Sequence, residues 1–256
     1  MKLIIVIFGI LLLNTSCRNF YYIPNTPNVF LPEEKGDGEI TVAVSEGVDL
    51  QASYTPIDKF GLMLNHNTYE FDHGNGNSEK GRTTELGLGW YGSSLNSYFR
   101  YSIFGGFGRH SYKGDYEFPS DFARLKANKS FIQTNLGITG RVLELSVFYR
   151  YSNISYSSIN YQVNEELNLG DRLYLDALDE KKDLQYETLG SKLSLNIAQF
   201  KLSIFYIIKA RENEMPSLGN ELFIPNFALS IGYRFKDKKQ YEKNPEGQIK
   251  KNIWNK

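Results

Sequence analysis

Short segments in which apolar and polar residues alternate one by one recur through most of this chain. In one of them, Leu143, Leu145 and Val147 alternate with Glu144 and Ser146. A period of two puts successive side chains on opposite faces of a β-strand, whereas a helical face repeats every three or four residues. The abundance of Tyr, Phe and Gly, at 18, 17 and 22 residues, also favours strands. The sequence therefore predicts an all-β fold.

The alternating segments and their connections predict how the strands are arranged. Ten strands are expected, over residues 39–45, 48–54, 60–71, 84–90, 98–107, 130–139, 143–152, 189–197, 201–209 and 227–235. Tight connections are expected at residues 56–58, 92–95, 140–142 and 198–199, and long ones at 72–82, 110–129, 153–185 and 211–224. Short and long connections alternate in an up-and-down antiparallel transmembrane β-barrel, with the tight turn at 46–47 as an exception. We predict about ten strands, with eight as a fallback.

The side of the wall that meets lipid separates two versions of such a barrel. A soluble lipocalin-like barrel buries its apolar faces and would bind an apolar ligand, whereas a membrane barrel turns them outward. Here the polar faces carry Gly, Ser and Asn with few charges, and aromatic residues such as Trp90, Tyr151, Tyr233 and Phe235 lie near strand ends. This pattern favours the membrane barrel, and the soluble periplasmic barrel is the alternative.

The first residues form a leader that ends at the chain's one cysteine, Cys17. Lys2 precedes an apolar run over residues 3–13, which is too short for a helix across a bilayer, since that needs about 20 residues. The layout predicts a signal peptide over residues 1–16. It resembles a bacterial lipoprotein signal, which implies that the Cys17 thiol is acylated. With a single cysteine, an internal disulfide is excluded.

The remaining chain divides into a tether, a barrel and a tail. Residues 17–37, with spaced prolines, are expected to be a lipidated extended tether, residues 38–235 the barrel domain, and residues 236–256 a disordered basic tail. An even number of strands returns the C-terminus to the side of the first strand, where an acyl anchor in the inner leaflet of an outer membrane would hold Cys17. Lys plus Arg and Asp plus Glu both total 29, so no charge excess points to nucleic acid.

Two stretches resemble known sequences. Residues 27–39, followed by residues 48–54 and 60–64, resemble the start of uncharacterised outer-membrane-barrel lipoproteins of the Bacteroidota. Residues 229–235 resemble the final-strand signal that barrel-assembly machinery reads, although further residues follow Phe235 here. The resemblance implies an outer-membrane location, contact with outer-membrane lipid and insertion by that machinery. It implies no activity and no cofactor.

Charged residues on the polar faces are the best candidates for a site. The predicted lumen-lining charges are Asp49, Glu85, Arg100, Glu144, Arg150, Lys192 and Arg234. Buried charges persist when paired, so salt bridges across the lumen are expected, and a narrow small-solute channel is the functional alternative. The acidic loop 153–185 is expected to be a solvated, partly helical surface loop.

Catalysis and metal binding have little support in the sequence. The histidines His66, His73 and His110 lack metal-ligand spacing. His66 could approach Ser97 or Glu85, but any ten-stranded barrel brings a histidine, a serine and an acid together by chance, so a catalytic site is not expected. We therefore expect a lipid-anchored outer-membrane barrel without enzymatic activity, cofactor or metal. Its expected role is that of a structural or surface-interaction component with an unknown partner.

Overall fold

The chain forms one closed barrel of ten antiparallel strands, seen in a computed structural model that describes residues 24–74, 77–94, 98–116, 121–163, 169–211 and 224–236. Each strand pairs with its sequence neighbours, and β1 pairs with β10 to close the barrel. The strands are β1 (Asp37–Val44), β2 (Val48–Ile57), β3 (Phe60–Gly74), β4 (Asn77–Ser94), β5 (Phe99–Asp115), β6 (Phe122–Thr139), β7 (Leu143–Gln162), β8 (Asp183–Ile197), β9 (Phe200–Arg211) and β10 (Ile224–Lys236). The predicted leader, Cys17 and the tail beyond Lys236 lie outside the described residues.

An apolar belt surrounds the outside of the barrel. Leu145, Leu195 and Leu229 are 53%, 39% and 48% exposed, and the belt covers β5 from Phe99 to Phe107. Nine residues on a strand tilted by about 40° give a height of about 20–25 Å, which matches the apolar band of membrane barrels. The predicted transmembrane barrel of ten strands is therefore confirmed. The soluble alternative is wrong, because the apolar faces point outward and the charged ones inward.

Aromatic side chains border the belt. At one border, the ring pairs Tyr54–Phe235, Phe60–Trp90 and Phe200–Tyr233 have centroids 6.2, 6.4 and 5.6 Å apart. At the other border, the Tyr206 and Phe227 ring centroids are 5.3 Å apart. Amphipathic rings are favoured at membrane–water interfaces, so these ring pairs mark the limits of the belt.

The two ends of the barrel differ. One end, here called the turn end, holds the start of β1, the end of β10 and the tight connections after β2, β6 and β8. In two of these connections Lys59 and Ala198 adopt φ angles of 62° and 55°, the left-handed conformation that closes a two-residue turn. The opposite end is called the extended end, because β3 to β7 continue well beyond the belt there.

The predicted long loops at residues 72–82 and 110–129 are wrong, because strands occupy most of both ranges. β3 and β4 stay paired up to Asp72 and Ser78, and β5 and β6 up to Asp115 and Phe122. Apolar and polar residues still alternate in these extensions, but here the apolar side chains face inward and the polar ones outward. A search for strands with an apolar outer face therefore misses them. By contrast, β1 and β2 end early in the expected tight turn, where the Ser45 amide donates to the Gly47 carbonyl. The barrel is therefore tall on one side and low on the other.

A helix, α1 (Leu169–Lys181), closes the extended end of the barrel. In the sequence it lies within the predicted loop 153–185. The predicted bounds of this loop are wrong, because β7 continues to Gln162 and β8 begins at Asp183. The part between them is partly helical as expected, but α1 is not fully solvated, since Leu175 and Leu178 are completely buried. They join a core of inward side chains from the strand extensions, which contains Tyr69, Tyr112, Tyr116, Ala123, Leu125, Ala127, Ile154, Tyr156, Val163, Tyr174 and Leu184. Of the helices in the described ranges, none has the length and apolarity needed to cross a membrane.

Candidate functional site in the barrel lumen

Residues 24–36, of which 25–32 are buried inside the barrel and 33–35 are exposed at its turn end, are called the luminal segment below. The expected tether over residues 17–37 differs from the structure in this part: the segment has no regular secondary structure, but residues 25–32 are buried. Its contacts with β2 fix its direction. In order along the segment, Thr26 N donates to Asp49 Oδ2 (3.3 Å), Asn28 Nδ2 to Ser53 Oγ (2.9 Å), and Thr55 Oγ1 to the Glu34 carbonyl (2.8 Å). The segment therefore runs parallel to β2, from the extended end towards the turn end.

Side chains from several strands satisfy the backbone carbonyls of the luminal segment. The donors are Gln133 Nε2 to the Asn28 carbonyl (2.9 Å), Lys192 Nζ to Val29 (3.2 Å), Ser102 Oγ to Phe30 (2.8 Å) and Arg100 Nη1 to Leu31 (3.3 Å). A buried backbone group without a partner costs stability, and this segment has no neighbouring strand to provide one. The inward polar side chains of β5, β6 and β8 replace that strand.

The side chains of the luminal segment pack on inward apolar residues. Val29 lies in a cluster with Phe148, Phe205, Ile207 and Ala228, and Phe30 in another with Met63, Phe104 and Phe131. Both Val29 and Phe30 are buried. Gly87 leaves the space for this packing, since a Cβ there would lie 2.6 Å from Met63 Cγ. The middle of the lumen is thus filled by side chains from both the segment and the wall.

Five charged side chains near the turn end form one network, here called the turn-end cluster. Its members are Glu39, Glu144, Lys192, Lys201 and Arg234. Lys201 Nζ lies 2.8 Å from Glu39 Oε2 and 3.1 Å from Glu144 Oε1, and Arg234 reaches the same two carboxylates at 3.1 and 2.5 Å. Each carboxylate therefore bridges at least two cations, and Glu39 also lies 3.7 Å from Lys192 Nζ. This arrangement allows charges to stay buried.

A second network surrounds Glu85 halfway up the barrel. Its Oε1 lies 2.6 Å from Lys129 Nζ and 2.7 Å from Arg150 Nη2, and its Oε2 accepts a hydrogen bond from Asn65 at 3.0 Å. Arg150 also stacks on the Phe131 ring, 4.0 Å from its centroid. Glu85, Lys129 and Arg150 are all at least 97% buried, so they lie out of reach of bulk water.

The structure places all seven predicted lumen charges on the inner face of the barrel. Five of them belong to the two networks: Glu85 and Arg150 to the network around Glu85, and Glu144, Lys192 and Arg234 to the turn-end cluster. Of the other two, Asp49 accepts a hydrogen bond from the Thr26 amide, and Arg100 pairs with Glu33 at 3.1 Å. Sequence reasoning missed Glu39, Lys129 and Lys201, which share these networks. Lys201 could have been found, since it lies on the polar face of its predicted strand. Lys129 could not, because it fell in a predicted loop.

The two histidines whose side chains are described, His66 and His110, lie on opposite faces of the barrel wall. His66 is exposed on the outside, with Nδ1 2.8 Å from Thr84 Oγ1, whereas Glu85 on the neighbouring strand faces inward. Ser97 and the His73 side chain lie outside what the structure describes, and buried His110 contacts Thr83 through Nδ1 at 2.9 Å. Within the described ranges, no group of three or more His, Cys, Asp or Glu residues could hold a metal ion.

Polar contacts also link α1 to β7 at the extended end. The Tyr161 hydroxyl donates to Asp176 Oδ1, and Arg172 Nε lies 3.2 Å from the same oxygen. Partial burial, followed by the bond to Asp176 and its negative charge, raises the pKa of Tyr161 to about 12. The phenol therefore stays protonated and holds the helix to the wall over the whole physiological pH range.

Comparisons with known proteins find distant similarity to solved structures. No protein-family model matches the chain, and no curated protein matches it. Among solved structures, the N-terminal β-barrel domain of Pseudomonas aeruginosa OprF is similar at 11% identity and a TM-score of 0.31, covering 79% of this chain and 99% of that one. The KdgM porin is similar at 12% identity and 0.34, covering 78% and 99%. The translocator domain of the autotransporter NalP from Neisseria meningitidis is similar at 10% and 0.39, covering 78% and 87%.

At these identities and TM-scores the likeness carries no argument about this chain. It assigns no ligand or activity to the chain. The resemblance to Bacteroidota lipoproteins and the acylation of Cys17 stay predictions.

Proposed function

We propose that this chain is a lipid-anchored, non-enzymatic barrel of the bacterial outer membrane that serves as a structural or surface-interaction component. The filled lumen is the observation that carries the proposal. The luminal segment, two charge networks and the α1 core occupy the described interior from one end to the other. A barrel filled in this way acts as a rigid support, and its extended end is the part available to partners.

The difference between the two ends supports an orientation. Outer-membrane barrels have short periplasmic turns and longer external connections. By this rule the turn end faces the periplasm, and the strand extensions with α1 project from the cell. The tall side formed by β3 to β7 would then present a broad folded surface above the membrane rather than flexible loops.

The luminal segment changes the expected position of the lipid anchor. Cys17 precedes Pro24 by seven residues, a length that spans at most about 25 Å. Because Thr26 contacts Ser45 and Asp49 near the extended end, the chain enters the described part of the barrel from that side. We therefore propose that an acylated Cys17 anchors in the outer leaflet, and not in the inner leaflet as expected from strand parity.

The barrel and the anchor can be tested separately. Full-length wild type and Cys17→Ala are expressed in a Gram-negative host, with fatty-acid labelling, membrane fractionation and gel mobility of unboiled and boiled samples. We expect label on the wild type alone, and both proteins in the membrane with heat-modifiable mobility. Release of the Cys17→Ala protein into the soluble fraction would contradict the embedded barrel, and equal labelling would contradict the anchor.

The direction of the luminal segment can be tested by disulfide trapping in a Cys17→Ala background. Thr26 Oγ1 lies 3.3 Å from Ser45 Oγ, so the pair Thr26→Cys and Ser45→Cys is expected to cross-link on mild oxidation. The matched control is the pair Thr26→Cys and Thr55→Cys. Thr26 contacts Asp49 at the start of β2 and Thr55 lies near its end, so this pair is expected to stay reduced. Cross-linking in the control alone would reverse the direction of the segment.

A small-solute channel is the second candidate, because the lumen wall itself carries charged and amide side chains. Conduction would require the luminal segment to leave its hydrogen bonds with Gln133, Lys192 and Ser102. We expect a flat current trace from wild type in planar bilayers. Reproducible single-channel steps from the wild type would replace the support role with conduction.

A further inference from the structure

The outer face of the tall wall carries two groups of cations. In the upper group, Lys80 pairs with Glu70, and Lys113 and Arg124 both pair with Asp115. The lower group is Arg82, Arg109 and Lys126, which lies next to the apolar belt. Within the part of the chain that the structure describes, these three have no carboxylate at ion-pair distance, and Arg82 contacts only Ser111 Oγ, at 3.1 Å.

The lower group forms a compact triangle across three neighbouring strands. Ser111 on β5 is paired with Arg82 on β4 and with Lys126 on β6, and Arg109 lies two residues below Ser111. Diagonal neighbours on one face of a sheet are about 7–8 Å apart, so Arg109 lies within that distance of both other cations. Three long cationic side chains from such positions can converge on one anionic group.

An apolar surface lies directly beneath this triangle. Leu64, Leu86 and Phe107 form the next row towards the belt centre, and Phe107 is 77% exposed. One row further down, Gly105 leaves a gap on the outer face, where an added Cβ would lie 3.8 Å from its nearest neighbour, the Phe131 carbonyl oxygen. Two open depressions of about 440 and 450 Å³ adjoin here, the upper lined by the three cations and the lower by the three apolar residues.

We propose that this surface is a binding site for a phosphorylated membrane lipid, with its phosphate against Arg82, Arg109 and Lys126 and an acyl chain along Leu64, Leu86 and Phe107. Arginine and lysine are the usual phosphate-binding side chains. A soluble anion would use only the upper half, whereas the two adjoining depressions match a molecule with a charged head and an apolar tail. The proposal requires only that the belt lie in lipid, and it is independent of the anchor at Cys17 and of the role proposed above.

The first experiment measures lipid binding by purified full-length protein in non-ionic detergent micelles. Native mass spectrometry follows titration with phosphatidic acid, which carries a phosphomonoester, and with phosphatidylcholine as the zwitterionic reference. The test variant is Arg82→Ser with Arg109→Ser and Lys126→Ser. The matched control is Lys80→Ser with Lys113→Ser and Arg124→Ser, which removes three cations from the same three strands.

The test variant is expected to bind phosphatidic acid at least tenfold more weakly than wild type, since each cation near an anionic lipid surface contributes a factor of about five. The control is expected to change less than about threefold, because its cations are already paired. Equal losses in both variants would show general charge attraction and overturn the site, as would full binding in the test variant. Unboiled gel mobility confirms that each variant is folded.

A second variant separates a lipid site from a site for free phosphate. Phe107→Ser is expected to weaken the binding of long-chain phosphatidic acid while leaving binding of a short-chain analogue unchanged. Inorganic phosphate at millimolar concentration is expected not to displace the long-chain lipid. Displacement by phosphate, with no effect of Phe107→Ser, would reduce the surface to a simple anion site and overturn the lipid proposal.

Discussion

The belt level and the extended end of the barrel use the two faces of the same strands in opposite ways. At the belt, Glu85 points into the lumen and its neighbour Leu86 points to lipid. Some residues further along the wall, Tyr112 points inward and Lys113 outward. The change occurs in one row, at Thr84, Arg109 and Asn128, where the apolar belt ends.

The surrounding solvent, and not the fold, decides the polarity of each face of the wall. In lipid, the outer face must be apolar, so charges are confined to a paired interior. Above the lipid, the same wall meets water and acquires the apolar interior of a soluble protein, completed by α1. The barrel can continue without interruption because backbone hydrogen bonding between strands is the same in both regions.

The largest effect is expected from removing the charge at the centre of the lumen. Glu85→Ala leaves Lys129 and Arg150 buried without their shared carboxylate, and the loss of a buried ion partner costs about 3–5 kcal/mol. The free energy of unfolding, from urea denaturation in lipid vesicles, is the measurement. The control, Glu70→Ala, breaks an exposed pair with Lys80 and is expected to cost under about 1 kcal/mol. Similar costs for both variants would mean that the lumen is hydrated.

A charge placed on the outer face tests the polarity change directly. Ile103 lies near the middle of the belt, and Ile103→Arg is expected to cost about 2–4 kcal/mol, the range for an arginine at the bilayer centre. Ser78→Arg, on the outer face of β4 above the belt, is expected to change the free energy of unfolding by less than about 0.5 kcal/mol. If Ser78→Arg were the costlier change, the belt would be assigned to the wrong end of the strands.

The core at the extended end should respond like that of a soluble protein. Leu175→Ala removes a fully buried side chain of α1 and is expected to cost about 2 kcal/mol, at the lower end for such changes since the helix lies at the end of the barrel. Leu173→Ala, at 48% exposure on the same helix, is the control and should be nearly neutral. Hydrogen exchange of α1 should rise in the first variant while gel mobility of the barrel stays unchanged. Equal exchange in both variants would contradict the packing of α1.

The sequence predicts the belt part of the fold well, because lipid imposes one simple pattern there. Leu145, Leu195 and Leu229 face outward as the alternation requires, and Glu85 and Glu144 face inward. The strand extensions could not be predicted in the same way. Their two-residue period continues, but the apolar face turns from the outside of the barrel to the inside.

The luminal segment is invisible to sequence patterns for a different reason. Its hydrogen-bond partners Gln133 and Lys192 lie more than a hundred residues away, and it has no periodicity of its own. Spaced prolines and few apolar residues are equally typical of a solvated tether. Only the folded barrel shows that a closed lumen can satisfy an irregular backbone with side chains.

The smallest effect concerns the polar contact that holds α1 to the wall. Because the pKa of Tyr161 is raised from 10.0 to about 12, the folded state keeps the phenol proton more tightly than the unfolded chain does. Its contribution to stability is complete below pH 10 and is lost as the pH rises to about 12. Proteolysis of α1 should therefore accelerate over this interval in wild type, and the Tyr161→Phe variant should lack that part of the pH dependence. The Asp176→Asn variant should lower the pKa of Tyr161 in an NMR titration of its ring, because the carboxylate charge no longer opposes ionisation. An unchanged ring titration in Asp176→Asn would leave burial alone as the cause and remove Asp176 as the partner that fixes the helix.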